Sequence, residues 1–250
     1  MVITRLNRAA LCVRWSPCER KFAIGSGAKS ICVCYYEKEN NWWASKLIRK
    51  KHESSVLSVA WHPSSLLIAS ASTDGKCRIF AAVIPGMEAE TAETRALAGT
   101  KFGDVLLEVD AGDGWGLNVA WSPSGSQLAC SSHNSTVMFL SGLDVTNLAS
   151  LQRPGAGQHV KLPCLGLQAV GFVAEDRLVG GSFDGDVVLL VRAREGLWQF
   201  SHVVKDQATR SAAPVRQISA EFSAKLNMFR SQGQAAEPPA DDRPQDGMGG

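Results

Sequence analysis

Four groups of residues in this 250-residue chain have the types and spacing that chemistry uses. His52, Ser72 and Asp74 supply a base, a hydroxyl and a carboxylate, the set needed for nucleophilic catalysis if they converge on an open pocket. Gly25-Ser26-Gly27-Ala28-Lys29-Ser30 approximates a phosphate-cradling loop, and Gly112, Gly114 and Gly116 approximate a dinucleotide fingerprint. Cys32 and Cys34 offer two thiols to a metal.

Context argues against each. A phosphate loop needs Lys directly after its last Gly and a helix opening there, whereas Ile31 to Tyr36 alternate as a strand. The second glycine group also leads into a strand, so dinucleotide binding is not expected. Structural zinc usually takes two separated cysteine pairs with two to four residues inside each, but Cys32-Val33-Cys34 puts both thiols on one strand face. There is no Gly-x-Ser-x-Gly elbow and no His-Glu-x-x-His motif. The expectation is a non-enzyme without metal or cofactor.

Composition narrows the class. With 45% hydrophobic residues the chain can bury a large core, and at ~150 residues per domain it holds one large or two small domains. Lys plus Arg exceed Asp plus Glu by 26 − 24 = 2, so no global charge draws it to nucleic acid or anionic lipid. No apolar run approaches the ~18 to 20 residues of a membrane span, and Arg5, Arg8, Arg14 and Arg20 interrupt any signal-peptide core. Seven cysteines, mostly inside apolar runs, suit a reducing compartment. A soluble, cytoplasmic protein is expected.

The organising feature is a repeat. Trp15-Ser16-Pro17, Trp61-His62-Pro63 and Trp121-Ser122-Pro123 recur, and Phe172 marks a degenerate fourth copy. After each come a polar turn, an apolar pair, small residues, a second turn and an alternating apolar run, as in Leu67 to Ser72, Asp74-Gly75 and Cys77 to Phe80. Short strands joined by Asp-Gly or Asn-Ser turns form β-meanders. A period near ~40 to 45 residues with four strands predicts propeller blades, whose small residues let inner strands approach.

The second copy resembles the WD40 family. His52 precedes Val56, Val59, Trp61 and Pro63 at the spacings of the family's histidine motif. The resemblance implies that Ser72 and Asp74 hydrogen-bond the histidine in a structural network, and Phe80 replaces the usual terminal Trp. This reading displaces catalysis by the three residues. The other copies place Leu6, Gly112 and Pro163 at the histidine position.

Read continuously, the string Leu6 to Ala10, Val13 to Pro17, Lys21 to Ala28, Ile31 to Tyr36 and Ser55 to Pro63 is similar to the WD-repeat subunits of the actin-related protein 2/3 complex. Gly99 to Gly103, Gly114-Trp115 and Ser124 to Ala129 agree more loosely, giving coverage of about residues 2 to 230. The resemblance implies an all-β, WD40-type β-propeller of about four blades over residues 1–205, an insert with an amphipathic helix over 206–232 and a disordered tail over 233–250. Members of that family carry further blades. Seven blades at ~45 residues need roughly 315, so a fragment or truncated gene model is expected, with four-blade closure as the lesser alternative.

Partner-binding expectations fall in two places. Ile218, Phe222, Leu226 and Phe229 form a helical stripe, and resemblance implies that such an insert projects toward actin, with Phe222, Lys225, Leu226, Met228, Phe229 and Arg230 in contact. The alternative is a helix packed on its own propeller. Lys46, Arg49, Lys50 and Lys51 lie in a basic run that is a solvated edge or docks on acidic neighbours; without interleaved aromatics nucleic acid is disfavoured. The resemblance implies scaffolding among the other complex subunits, the actin filament and nucleation-promoting factors at the actin cytoskeleton. The alternative is a generic WD40 adaptor such as a ubiquitin-ligase substrate receptor.

Overall fold

The computed structural model describes residues 6–152 and 157–204. Sixteen strands there form four separate four-stranded antiparallel meanders. Blade 1 comprises β1 (Ala10–Trp15), β2 (Lys21–Ser26), β3 (Ser30–Glu37) and β4 (Trp42–Ile48). Blade 2 comprises β5 (Val56–Trp61), β6 (Leu67–Ser72), β7 (Lys76–Ala81) and, after helix α1 (Ala92–Ala96), β8 (Val105–Asp110). Blade 3 comprises β9 (Gly116–Trp121), β10 (Gln127–Ser132), β11 (Thr136–Ser141) and, after helix α2 (Leu148–Gln152), β12 (Gln158–Lys161). Blade 4 comprises β13 (Leu167–Ala174), β14 (Arg177–Ser182), β15 (Val187–Arg192) and β16 (Trp198–Val204). This is the WD40-type propeller architecture the repeat predicts; the expected insert and tail, 206–232 and 233–250, lie outside the described residues. The two short helices are each five residues long, and α1 is started by a capping box between Thr91 and Thr94.

Turn chemistry explains the meanders. Gly75, Ser135 and Gly185 close the second hairpins of blades 2, 3 and 4 at φ of 81°, 63° and 86°, the left-handed backbone that such hairpins favour. Each motif aromatic ends or nearly ends an inner strand, in register as Trp15↔Phe22, Trp61↔Ile68, Trp121↔Leu128 and Phe172↔Leu178.

The core lies between blades rather than within one. Ile31, Val33, Val59, Ile68 and Phe80 fill the seam of blades 1 and 2. Leu67, Ile79, Leu128, Met138 and Leu140 fill the seam of blades 2 and 3, and Phe139, Leu178, Val188 and Leu190 that of blades 3 and 4. Small residues on each second strand permit the approach. A Cβ at Gly25 would stand 2.9 Å from the Val56 carbonyl oxygen of blade 2. At the corresponding place in blade 3, Ser131 Oγ donates to the Leu167 carbonyl of blade 4 at 2.8 Å.

The tryptophans are seam pins. Trp61 Nε1 donates to the Arg14 carbonyl of blade 1 at 3.0 Å, and Trp121 Nε1 to the Ala60 carbonyl of blade 2 at 3.3 Å. Trp15, in the first described blade, is 57% exposed beside Leu11 and Val13, and Val173, Val187 and Val204 of blade 4 are exposed too. In the degenerate fourth copy Phe172 has no N–H to give. There Trp198 of β16 stacks on Phe139 at 4.4 Å and donates Nε1 to Gln127 Oε1 at 3.2 Å.

Candidate functional site

The residues with catalytic types do not form a reactive centre. His52 Nε2 is 2.9 Å from Ser70 Oγ, and both side chains are buried. Burial, helped by the nearby Arg78 cation, pushes the His52 imidazole down to about 4, leaving it a weak base at neutral pH. Its Nδ1 has no hydrogen-bond partner among the described residues.

The expected partners differ from those found. Asp74 does not hydrogen-bond the histidine: its carboxylate accepts from Glu53 N at 2.9 Å, Lys76 N at 3.0 Å and Arg78 Nη1 at 2.8 Å. Ser72 Oγ instead accepts from Asp74 N at 3.3 Å. The physical reason is Arg78, itself buried and also bonded through Nε to Glu108 Oε2 at 2.7 Å. A cation competes better than a neutral imidazole for a carboxylate. Burial raises the Asp74 carboxyl, but the backbone N–H groups of Glu53 and Lys76 and the Arg78 guanidinium outweigh it and hold the group below its ordinary value. His52 thus pairs with Ser70, while Ser72 and Asp74 form a separate set of bonds with Arg78.

Cys32 and Cys34 pack with Ile24 in blade 1, their sulfurs 3.8 Å apart, and none of the seven cysteines forms a disulfide among the described residues. The strand β3 runs straight through the would-be phosphate loop's downstream end, with Ser30 as its first residue.

The basic run divides. Lys46 projects from β4 over the rings of Tyr35 and Phe102, with Nζ 6.0 and 5.6 Å from their centroids, and remains part exposed. Arg49, Lys50 and Lys51 are exposed on the connection from β4 to β5 and make no ion pair among the described residues. Lys50 and Lys51 rim a hollow of about 180 Å³ with His52, Glu53, Asp74 and Lys76. Phe222, Lys225, Leu226, Met228, Phe229 and Arg230 lie outside the described residues.

One structural residue escaped the sequence reading. Lys21, a position with no motif signal, is completely buried; its Nζ donates to the carbonyls of Ser65 at 2.7 Å and Ala82 at 3.3 Å, pairs with Glu88 and sits 5.0 Å over the Trp61 ring. Its lone clue was its place after a Trp-x-Pro turn, where blade 3 has Gln127 reaching the Glu175 carbonyl at 2.9 Å.

Comparison with known proteins agrees with this geometry. The WD domain, G-beta repeat family matches residues 45–80 and 116–139, which cover β5 to β7 and β9 to β11. The chain is 44% identical over 229 residues to actin-related protein 2/3 complex subunit 1A of Arabidopsis thaliana, covering 92% of this chain and 58% of that protein. It is 40% identical over 203 residues to subunit 1A-B of Xenopus laevis, covering 80% and 52%. With subunit 1 of Schizosaccharomyces pombe it shares 37% over 198 residues, covering 79% and 51%. The chain therefore spans between half and three fifths of the length of these relatives.

Proposed function

We infer that this chain, a WD40-repeat protein related to subunit 1 of the actin-related protein 2/3 complex, is a non-catalytic structural subunit of such a complex. The observation that carries the reading is the 229-residue similarity to that subunit, laid over four four-stranded meander blades. The work is done by surfaces. Four blades present loop ends and sheet edges to neighbouring subunits, and the assembled complex nucleates actin and supports branched filaments.

Within that reading, Arg49, Lys50 and Lys51 are the cations available to meet acidic neighbours, and the stripe of Phe222, Leu226, Met228 and Phe229 with Lys225 and Arg230 contacts actin or an actin-related subunit. Nucleation-promoting factors and the filament side are the further partners, and the actin cytoskeleton of the cytoplasm is the place of action.

Affinity purification of the tagged chain from cells of its own source tests this directly. Recovery of the other complex subunits is expected, with loss of filament-side binding on Phe222→Ala plus Phe229→Ala and weaker, more salt-sensitive recovery on neutralising Arg49, Lys50 and Lys51. Recovery of ubiquitin-ligase components in place of those subunits would overturn the assignment.

A further inference from the structure

The loop between blades 2 and 3 carries an aromatic that blade packing does not use. Trp115, in the Gly112-Asp113-Gly114-Trp115 connection from β8 to β9, is 57% exposed. The glycine spacing that fails as a dinucleotide motif is what holds this loop down. A Cβ at Gly114 would lie 2.6 Å from His133 Nδ1 and 2.8 Å from Ser132 Oγ, so a larger residue cannot take that path over the β10–β11 turn. Trp115 N donates to His133 Nδ1 at 2.9 Å, and the imidazole stacks on the indole with centroids 5.1 Å apart and planes 28° apart. Asn134 Nδ2 donates to the Gly112 carbonyl from the same turn. The indole is positioned before any partner arrives, which removes much of the ordering cost of binding.

Trp115 lines a hollow of about 450 Å³ with Thr73, Asp74, Gly75, Asp110, Asp113 and Gly114. Of its carboxylates, Asp74 is committed to Arg78, and Asp110 meets Lys76 at 2.8 Å while its side chain stays 76% exposed. Asp113 is exposed at φ 48° and makes no ion pair among the described residues. The hollow thus joins an indole to an uncommitted negative charge. A guanidinium matches both at once, stacking flat on the ring while its N–H groups reach the carboxylate.

The apolar surface continues toward blade 4. Gly166 packs on the His133 backbone, where an added Cβ would stand 2.9 Å from the His133 Cα, and Phe183 N donates to the Gly166 carbonyl at 3.2 Å. Leu165 and Phe183 are exposed there. Both adjoin Gly166 on the blade 4 side of the turn that carries His133, and offer apolar surface to residues flanking the cation.

We propose that this hollow receives an arginine side chain presented by a short apolar-flanked segment of a partner protein, with Trp115 as stacking platform and Asp113 as counter-charge. The site does not depend on which complex the chain enters. The probe is a fluorescein-labelled Gly-Leu-Arg-Leu-Gly peptide, titrated with the full chain at low salt by fluorescence anisotropy, beside versions carrying citrulline or glutamate in place of arginine. Saturable binding of the arginine peptide is expected, roughly tenfold weaker for citrulline, the neutral isostere. Trp115→Ala and Asp113→Asn should each weaken the arginine peptide about fivefold or more at an unchanged melting temperature. If Trp115→Ala loses its fold, the exposed Asp113→Asn variant decides alone. Equal affinity for arginine and citrulline, preference for glutamate, no saturation at millimolar peptide, or unaltered binding by a folded variant would each overturn the proposal.

Discussion

Gly125 lies directly against the imidazole of His62: a Cβ added there would come within 2.0 Å of Nε2. The two residues belong to equivalent turns of adjacent blades, and His62 also meets Trp121 edge-on at 4.8 Å while its Nδ1 accepts from Ser64 N at 3.0 Å. The middle letter of Trp61-His62-Pro63 therefore seats one blade's turn on the next.

Gly125→Ala is expected to destabilise the protein for two reasons. The backbone is at φ 78°, which costs a residue with a Cβ about 1 to 3 kcal/mol, and the methyl collides with the His62 ring. The urea midpoint should fall accordingly, and His62→Ala in the same chain should restore part of it. An unchanged midpoint for the single variant contradicts the packing described.

Acid should weaken the seams over a defined window. Burial, with Arg78 assisting at His52, holds the His52 and His62 imidazoles at about 4, below their ordinary value of 6.5. The unfolded chain binds these protons first, so the stability that the two imidazoles contribute falls as pH drops from about 6.5 toward 4, and their part levels off below while the depressed Asp74 carboxyl takes the loss further. Both side chains are almost fully buried, and each contributes on the order of 3 kcal/mol across that range. Melting curves at pH 7, 5 and 4 check it, and His62→Gln should flatten the dependence.

Trp61→Phe and Trp121→Phe keep a ring in each seam but remove the indole N–H from Arg14 and Ala60. Each leaves a carbonyl without its donor, at a cost of about 1 to 3 kcal/mol. Denaturant titration of the two variants should show losses of that order. No loss in either would mean that ring packing alone holds the seam.

Lys21→Met strips the buried Glu88 carboxylate of its cation. Burial already pushes the Lys21 ammonium below its usual range, with Glu88 pulling it back, so the pair stands or falls together. The single variant is expected to lose about 3 to 5 kcal/mol, and Lys21→Met with Glu88→Gln considerably less. A double-variant cycle on melting stability measures the difference; equal losses in single and double variants would falsify the pairing.

The repeat made the fold legible. Trp-x-Pro turns, small second-strand residues and Asp-Gly or Asn-Ser hairpins are local instructions, and each acts within a few residues of where it is written. They fix strand length, turn type and register, as Trp61↔Ile68 and Trp121↔Leu128 show. The same locality made the failed phosphate and dinucleotide loops readable, because a strand rather than a helix follows each.

Contacts between blades were less legible, because they join residues 47 to 71 positions apart. The Trp61 and Trp121 pins repeat, each reaching the carbonyl just before the preceding copy's Trp, but the Trp198 bond to Gln127 follows no such rule. Sequence alone determined a WD40-type meander repeat and its kinship. Only tertiary structure decided that Arg78 would take Asp74 from His52, that Lys21 would be a buried pin, that Lys46 would lie over the rings of Tyr35 and Phe102, and that Trp115 would stand exposed beside Asp113. In each case the outcome rests on a competition for hydrogen bonds and burial among side chains brought together from different blades, and that competition exists only once the sheets have packed.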